Sequence, residues 1–220
     1  MNNLIFIIFF FVSFPYSNIL TGLDVLQEDD FKLLHNKNVG LVINHTSLNR
    51  DGVHLLDLLL KYKNINIKSI FTPEHGLKGN LPAGEKFPDD FDQNSGIKII
   101  SLYGKKREPD LNDLEDLDCI LFDIQDIGSR YYTYVSTLTH ILNVASIANI
   151  PVIILDRPNP LGRKISGPII SKDFYSFIGM HSIPIRHGMT IGELALMING
   201  EKWLSSGIRA DIEVIELKNW

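Results

Sequence analysis

At 220 residues the chain has room for one domain, or for one domain with a fragment of a second. A hydrophobic fraction of 45% and a charged fraction of 21% belong to an ordinary globular protein. A net charge of −5, with no Lys/Arg run and no aromatic residues interleaved with basic ones, argues against a nucleic-acid partner. The single cysteine, Cys119, excludes an intrachain disulfide and a zinc site of the Cys-pair type; set in an apolar run, it reads as a small buried hydrophobe.

The chain opens on an almost wholly apolar run, Leu4 to Phe14, followed by Pro15, Tyr16 and Ser17. This pattern is expected of the hydrophobic core and small-residue cleavage site of a signal peptide over residues 1–17, although Met1-Asn2-Asn3 lacks a basic side chain. The run is short for a membrane span. The expected location is therefore outside the cytoplasm, periplasmic or secreted, or held at the membrane by the leader; a buried N-terminal strand is the alternative.

From there, β-rich runs alternate with helical stretches. Val39–Asn44 is the first strand, near-continuously apolar as when both faces are covered. Val53–Tyr62 has the spacing of a helix, with Leu55, Leu56, Leu59 and Leu60 on one face. Ile67–Phe71 and Ile97–Leu102 are strands, Leu111–Leu117 a short acidic helix, Cys119–Ile124 a strand, Tyr134–Ala148 a long helix and Val152–Leu155 a strand. Thr190–Trp203 is a helix that Thr190 caps, with Glu193 three residues on as a capping box requires. Ile212–Leu217 closes the series. The pattern predicts an α/β fold with a doubly wound, mainly parallel, Rossmann-like sheet over residues 18–220.

The unusual residues gather where strands give way to helices. They are Asn44-His45-Thr46, Thr72-Pro73-Glu74-His75-Gly76, Tyr103-Gly104, Asp123-Ile124-Gln125-Asp126 with Gly128, Arg130, Tyr131 and Tyr132, and Asp156-Arg157-Pro158-Asn159-Pro160. In open α/β sheets that edge binds ligands. Glu74 beside His75 suits general acid–base work, because desolvation can raise a Glu towards neutrality; a solvated loop acid is the plainer reading. Glu85 is a second carboxylate in the long loop that follows. Asp123 ends an apolar strand and therefore needs a partner, for which Arg130 is a candidate; a structural ion pair is the alternative. Tyr131 and Tyr132 suit stacking on a sugar, or the core. The planar fork of Arg157 matches a carboxylate, and Arg186-His187 can add a second cation.

There is no GxGxxG after the first strand, no Walker A sequence, no HExxH and no GxSxG elbow. No nucleotide cofactor is expected, and no metal is assigned to His45, His75, His187 or Asp123.

Eight ordered motifs carry a resemblance. Thr21-Gly22-Leu23-Asp24, Asn44-His45-Thr46, Pro73-Glu74-His75-Gly76, Ala83-Gly84-Glu85, Ser101-Leu102-Tyr103-Gly104, Phe122-Asp123-Ile124-Gln125-Asp126, Asp156-Arg157-Pro158-Asn159-Pro160 and Arg186-His187-Gly188-Met189-Thr190 resemble those of the exo-β-N-acetylmuramidase family. The resemblance implies a glycoside hydrolase that removes terminal β-linked N-acetylmuramic acid from the non-reducing end of peptidoglycan fragments, without a cofactor. It also implies a Rossmann-like N-terminal domain followed by a smaller C-terminal domain, which this chain, ending at Trp220, is expected to lack. Glycoside cleavage ordinarily uses two carboxyl groups. Glu74, with His75, is the first candidate, and Glu85, Asp123 and Asp126 remain open for the second. Asn44, His45, Gln125, Arg130, Tyr131, Tyr132, Arg157, Asn159, Arg186 and His187 are the candidate substrate contacts, with Arg157, Arg130 or Arg186 suited to the lactyl carboxylate of muramic acid. Two other readings stand beside it: a non-catalytic module that binds peptidoglycan sugars, and another cell-wall hydrolase, an esterase or deacylase.

Overall fold

The computed structural model describes residues 19–220, so the expected signal peptide lies outside the described residues. Seven strands form the main sheet: β1 (Asn38–Ile43), β2 (Asn66–Thr72), β3 (Asp90–Phe91), β4 (Lys98–Ser101), β5 (Cys119–Asp123), β6 (Val152–Leu155) and β9 (Ile212–Ile215), in the order β3-β4-β2-β1-β5-β6-β9. All neighbours run parallel except the short edge strand β3. Counted along the chain, the parallel strands stand third, second, first, fourth, fifth, sixth across the sheet. The winding therefore reverses between β1 and β5, and in open α/β sheets the carboxyl ends of the strands at such a reversal are where ligands ordinarily bind.

The alternation of side chains along the strands divides the core in two. Val42, Ile120, Phe122, Val152 and Ile154 face α3 (Tyr134–Ala148) and α4 (Ile191–Gly200), and they share one apolar cluster with Leu138, Ile141, Leu194 and Ile198. Leu41, Ile43, Cys119, Leu121, Ile153 and Leu155 face α1 (Gly22–Glu28) and α2 (Leu55–Leu59), and they cluster with Leu23, Leu26, Leu55 and Leu59. Each such side chain gains roughly 1.5–3 kcal/mol on leaving water. Both faces of the sheet are thus covered, and the expected doubly wound, Rossmann-like sheet is what forms.

Several boundaries differ from the sequence expectation, each for a local reason. The helix expected over 53–62 is the shorter α2, because His54 caps it: its Nδ1 accepts the Leu56 N–H at 3.3 Å and its Nε2 donates to the Asn44 carbonyl at 2.9 Å. The acidic helix expected over 111–117 is a single 3-10 turn, Leu111–Leu114, closed by reciprocal bonds between Asp110 and Asp113 and followed by Asp116 in the left-handed region (φ 64°). A hairpin of β7 (Ser166–Ile169) and β8 (Pro184–Arg186) has no counterpart in the sequence expectation, since Ser-Gly-Pro-Ile offers no alternation. The capping box at Thr190 and Glu193 forms as expected.

Candidate functional site

This switch point is stitched together by the loop after β1. Asn44 Oδ1 accepts from the Thr46 N–H and hydroxyl (2.9 and 2.6 Å), and Thr46 Oγ1 accepts the Gln125 N–H at 3.0 Å. Ser47 Oγ donates to the Asp123 carbonyl at 2.5 Å. The loop after β1 and the loop after β5 are therefore held in fixed register across the switch point. Behind them lies the Tyr134 hydroxyl. Burial raises its pKa, as does neighbouring Tyr132; Asn44 opposes the shift and the charge of Glu74 adds to it. Asn44, Glu74 and Tyr132 are thereby brought around one phenol, with the Tyr132 ring edge-on to Tyr134 at 4.6 Å. Tyr134 carries no site signal in the sequence, because it opens an amphipathic helix and reads as core.

Glu74 stands at the end of β2 in a strained turn. His75 and Gly76 both adopt positive φ (73° and 70°), and the Gly76 N–H closes on the Pro73 carbonyl at 3.1 Å. A non-glycine residue there costs about 1–3 kcal/mol, a strain found most often at functional sites. His75 Nδ1 donates to the Leu81 carbonyl at 2.9 Å, which leaves Nε2 as the basic nitrogen of the neutral ring. Half-buried Glu74 accepts the Gly84 N–H through Oε1 at 2.7 Å. It also faces Tyr103, whose pKa is raised by burial first and then by the hydrogen bond and charge of Glu74. His45 lies against Gly79, where a Cβ would come within 2.3 Å of the ring. Its pKa is lowered, by burial first and then by His75 and His54. Glu74 thus stands near Tyr103 and Tyr134, with His75 next to it in the chain and His45 beyond His75. A cavity of about 840 Å³, lined by Lys86, Phe87, Ser101, Gly104 and Lys105, opens between the loops that hold Gly84 and Tyr103. Glu85 is exposed on that rim, its N–H bonded to the Pro82 carbonyl.

The other side of the switch point corrects one sequence expectation, the partner of Asp123. Asp123 is fully buried, and its partner is Arg157, not Arg130: Nε meets Oδ1 at 2.5 Å and Nη2 meets Oδ2 at 2.8 Å. Burial works against the charge on Arg157, but Asp123, with Asp24 behind it, holds its pKa above the ordinary value. The pair occupies both Asp123 carboxylate oxygens and the Nε–Nη2 edge of Arg157. Asp123 and Arg157, both expected at the site, are thus bonded to each other across the loops after β5 and β6. Asp156, beside them, accepts from the Arg157 and Gly192 N–H groups (2.9 and 2.8 Å) and from the Thr190 hydroxyl (2.9 Å), and so pins the start of α4. Burial raises its pKa.

Asp126 is also buried but less completely bonded. Oδ2 accepts the Gly128 N–H at 2.6 Å, and Oδ1 has no hydrogen-bond partner. His187 Nδ1 accepts the Met189 N–H at 3.3 Å, so Nε2 carries the proton of the neutral ring; it lies 3.7 Å from Asp126 Oδ2, outside hydrogen-bond range. Gln125 and Asn159 brace this region through backbone: Gln125 Nε2 donates to the Asp126 and Pro158 carbonyls (2.6 and 2.8 Å), and Asn159 Nδ2 donates to the Met189 carbonyl (2.9 Å). Gly128 (φ 79°) is required, since a Cβ would fall 2.0 Å from Asn159 Oδ1. Arg130 bonds the Pro168 and Ile183 carbonyls, Arg186 bonds the Leu161 carbonyl, and Tyr131 is 54% exposed. Among the described residues no group of three or more His, Cys, Asp or Glu side chains is arranged to hold a metal ion.

Comparison with known proteins gives a consistent result. Residues 39–220 match the family described as exo-β-N-acetylmuramidase NamZ, N-terminal. The chain is 40% identical over 201 residues to peptidoglycan β-N-acetylmuramidase NamZ of Bacillus subtilis (strain 168), covering 91% of this chain and 48% of that protein. It is similar to two crystal structures of DUF1343 family proteins from Bacteroides fragilis NCTC 9343. One has a TM-score of 0.85 at 40% identity, covering 94% of this chain and 52% of the other. The second has a TM-score of 0.81 at 38% identity, covering 92% and 53%. The chain thus spans about half the length of the relatives it matches.

Proposed function

The chain belongs to the exo-β-N-acetylmuramidase NamZ family, and on that premise we propose that it works as a glycoside hydrolase on peptidoglycan-derived saccharides, releasing β-linked N-acetylmuramic acid from the non-reducing end. The observation that carries this reading is Glu74, a half-buried carboxylate at the carboxyl end of β2, oriented by the Gly84 N–H and facing Tyr103. In its protonated form such a group gives its proton to the leaving glycosidic oxygen as the bond to the anomeric carbon breaks; as a carboxylate it takes a proton from water. Of the three carboxylates left open by the sequence for the second role, Asp123 is tied into its ion pair and Glu85 is exposed on the rim. Asp126 is buried at the switch point with one oxygen free of hydrogen bonds, and it is our assignment.

The test is hydrolysis of a chromogenic β-N-acetylmuramide beside the matching glucosaminide. Turnover of the muramide alone, with a loss of about 10²–10⁴ in Glu74→Gln, is the expected result. Full activity in a folded Glu74→Gln protein would remove Glu74 from its role. A second reading rests on the length of the relatives, twice that of this chain: a module that binds the sugar without turning it over. Binding of N-acetylmuramic acid by a folded chain that hydrolyses neither glycoside would select it.

We also propose export, on the apolar leader read from the sequence. No helix of the described residues is long and apolar enough to cross a membrane. Mass spectrometry of the protein recovered outside the cytoplasm tests this: a mature chain starting near Asn18 is expected, and a full-length chain confined to the cytoplasm would refute it.

A further inference from the structure

The ladder between β2 and β4 brings Tyr103 against Glu74. The two strands run parallel with Thr72 opposite Ser101, and the Leu102 N–H donates to the Thr72 carbonyl at 2.9 Å, so the pairing continues past the end of β4. Glu74 stands two residues beyond Thr72, and Tyr103 two residues beyond Ser101. Neighbouring strands lie about 4.8 Å apart and side chains repeat their direction every second residue, so the two come side by side in the same phase. The Tyr103 hydroxyl donates a hydrogen bond to the Glu74 carboxylate. With the Gly84 N–H on Oε1 at 2.7 Å, the carboxylate is held from two separate loops. Tyr134 feels the charge of Glu74 only, whereas Tyr103 also bonds it.

The segment that carries Tyr103 is fixed well beyond what an irregular stretch needs. Residues 102–110 form no helix or strand. Ser101 Oγ accepts the Tyr103 N–H and donates to the Tyr103 carbonyl, both at 3.3 Å. Lys106 Nζ donates to Asp110 Oδ2 at 2.7 Å. The Arg107 guanidinium carbon lies 3.9 Å from the centre of the Phe177 ring, and His140 Nδ1 donates to Glu108 Oε2 at 3.1 Å, so the segment is clasped to the loop after β7 and to α3. Ordering that many side chains costs entropy, and what the ordering delivers is one phenol at one carboxylate. Burial first, and then the hydrogen bond and charge of Glu74, raise the Tyr103 pKa against the opposing charge of Arg107; the phenol therefore keeps its proton, and its capacity to donate, at neutral pH. We propose that Tyr103 is a positioning residue for glycoside cleavage: its hydroxyl fixes the orientation in which the Glu74 carboxyl meets the leaving oxygen or the attacking water, and Tyr103 acts through Glu74. A donor to a carboxylate makes a short, strong bond, and a reacting group held by such bonds is the condition for efficient proton transfer. The inference rests on the proposed glycosidase reading and adds the group that orients its acid.

The experiment is a double-mutant cycle of Tyr103→Phe and Glu74→Gln in the whole chain, read by hydrolysis of a chromogenic β-N-acetylmuramide. Tyr103→Phe keeps the ring and removes only the donor. It is expected to lower kcat by about 10–100-fold with KM changed less than about twofold, since a misplaced catalytic group costs up to about 10² in rate. In the Glu74→Gln background the same substitution is expected to cost less than about twofold, because a residue that works through Glu74 has nothing left to orient. An equal loss in both backgrounds would mark a purely structural role and overturn the proposal. A rise in KM with kcat intact would make Tyr103 a sugar contact and overturn it too. Tyrosine labelled with carbon-13 at Cζ and placed at position 103 alone reports the contact by NMR without changing that side chain: its titration is expected to move to lower pH in Glu74→Gln, and a titration that stays in place would overturn the proposal even where Tyr103→Phe does not fold. Full kcat in folded Tyr103→Phe, beside an active wild type, would sink this inference alone. A folded wild type that hydrolyses neither the muramide nor the glucosaminide would sink the glycosidase reading together with it.

Discussion

The two flanks of β1 treat similar residues in opposite ways. On the β5–β6 flank, Asp123, Asp156 and Arg157 are buried and bonded through almost every polar atom, to each other, to Leu48 and to the start of α4. On the β2–β4 flank, Glu74 is half-buried, bonded through one oxygen to a loop amide, and set beside a left-handed His75. All three acids stand at or just past the carboxyl ends of strands, at the same edge of the sheet. The first flank uses its charges to join elements, and the second leaves its acid where a ligand can reach it. Burial and completeness of bonding, more than residue type, divide structural from chemical carboxylates here.

Breaking the Asp123–Arg157 pair should be the most damaging change to stability. Asp123→Ala leaves a buried guanidinium without its counter-charge and is expected to cost about 3–5 kcal/mol in urea unfolding followed by circular dichroism. A loss below about 1 kcal/mol would mean that the pair is not the lock described. On the far side of the sheet, His181 is buried, stacked on Trp203 at 5.1 Å, and paired with the Thr139 hydroxyl at 2.8 Å. Burial lowers its pKa to about 4. The unfolded chain takes up this proton near 6.5 and the folded chain only near 4, so the unfolded state binds more protons across that window. Stability is complete above pH 6.5 and is lost as pH falls towards 4, by on the order of 3 kcal/mol from this group. A pH series of thermal melts should show the loss, and His181→Phe should flatten it; an unchanged slope in the variant would assign the effect to other groups. Smallest of all is the stability effect of Glu74→Gln. A hydrogen bond is worth about 0.5–1.5 kcal/mol, and the amide of the variant can still accept from the Gly84 N–H and face Tyr103, so the melting temperature should move little while activity collapses. A Glu74→Gln protein that unfolds as readily as Asp123→Ala would erase the distinction between the flanks.

Much of the fold was legible from pattern. The helix over Tyr134–Ala148 and the strand over Val152–Leu155 stand at the bounds their apolar spacing predicts, and Thr190 caps α4 as its sequence signature requires. Elements whose stability comes from distant partners were not legible. β7 and β8 have no alternation and exist because they pair with each other, and α1 is short and is held by the Gly22 N–H donating to the Asp156 carbonyl at 2.7 Å. In the candidate site, Glu74 and Asp126 stand out locally as acids at strand ends. Tyr134 does not, because a tyrosine at the start of an amphipathic helix looks the same whether its hydroxyl meets core or site.

The sequence alone determined the doubly wound sheet and the edge on which polar residues gather, because apolar period and turn chemistry act over a few residues. Only the tertiary structure decided which charges meet. Asp123 takes Arg157, 34 residues away, and leaves Arg130 to backbone carbonyls. That choice depends on how the loops after β1, β5 and β6 converge, a long-range geometry that no local pattern carries.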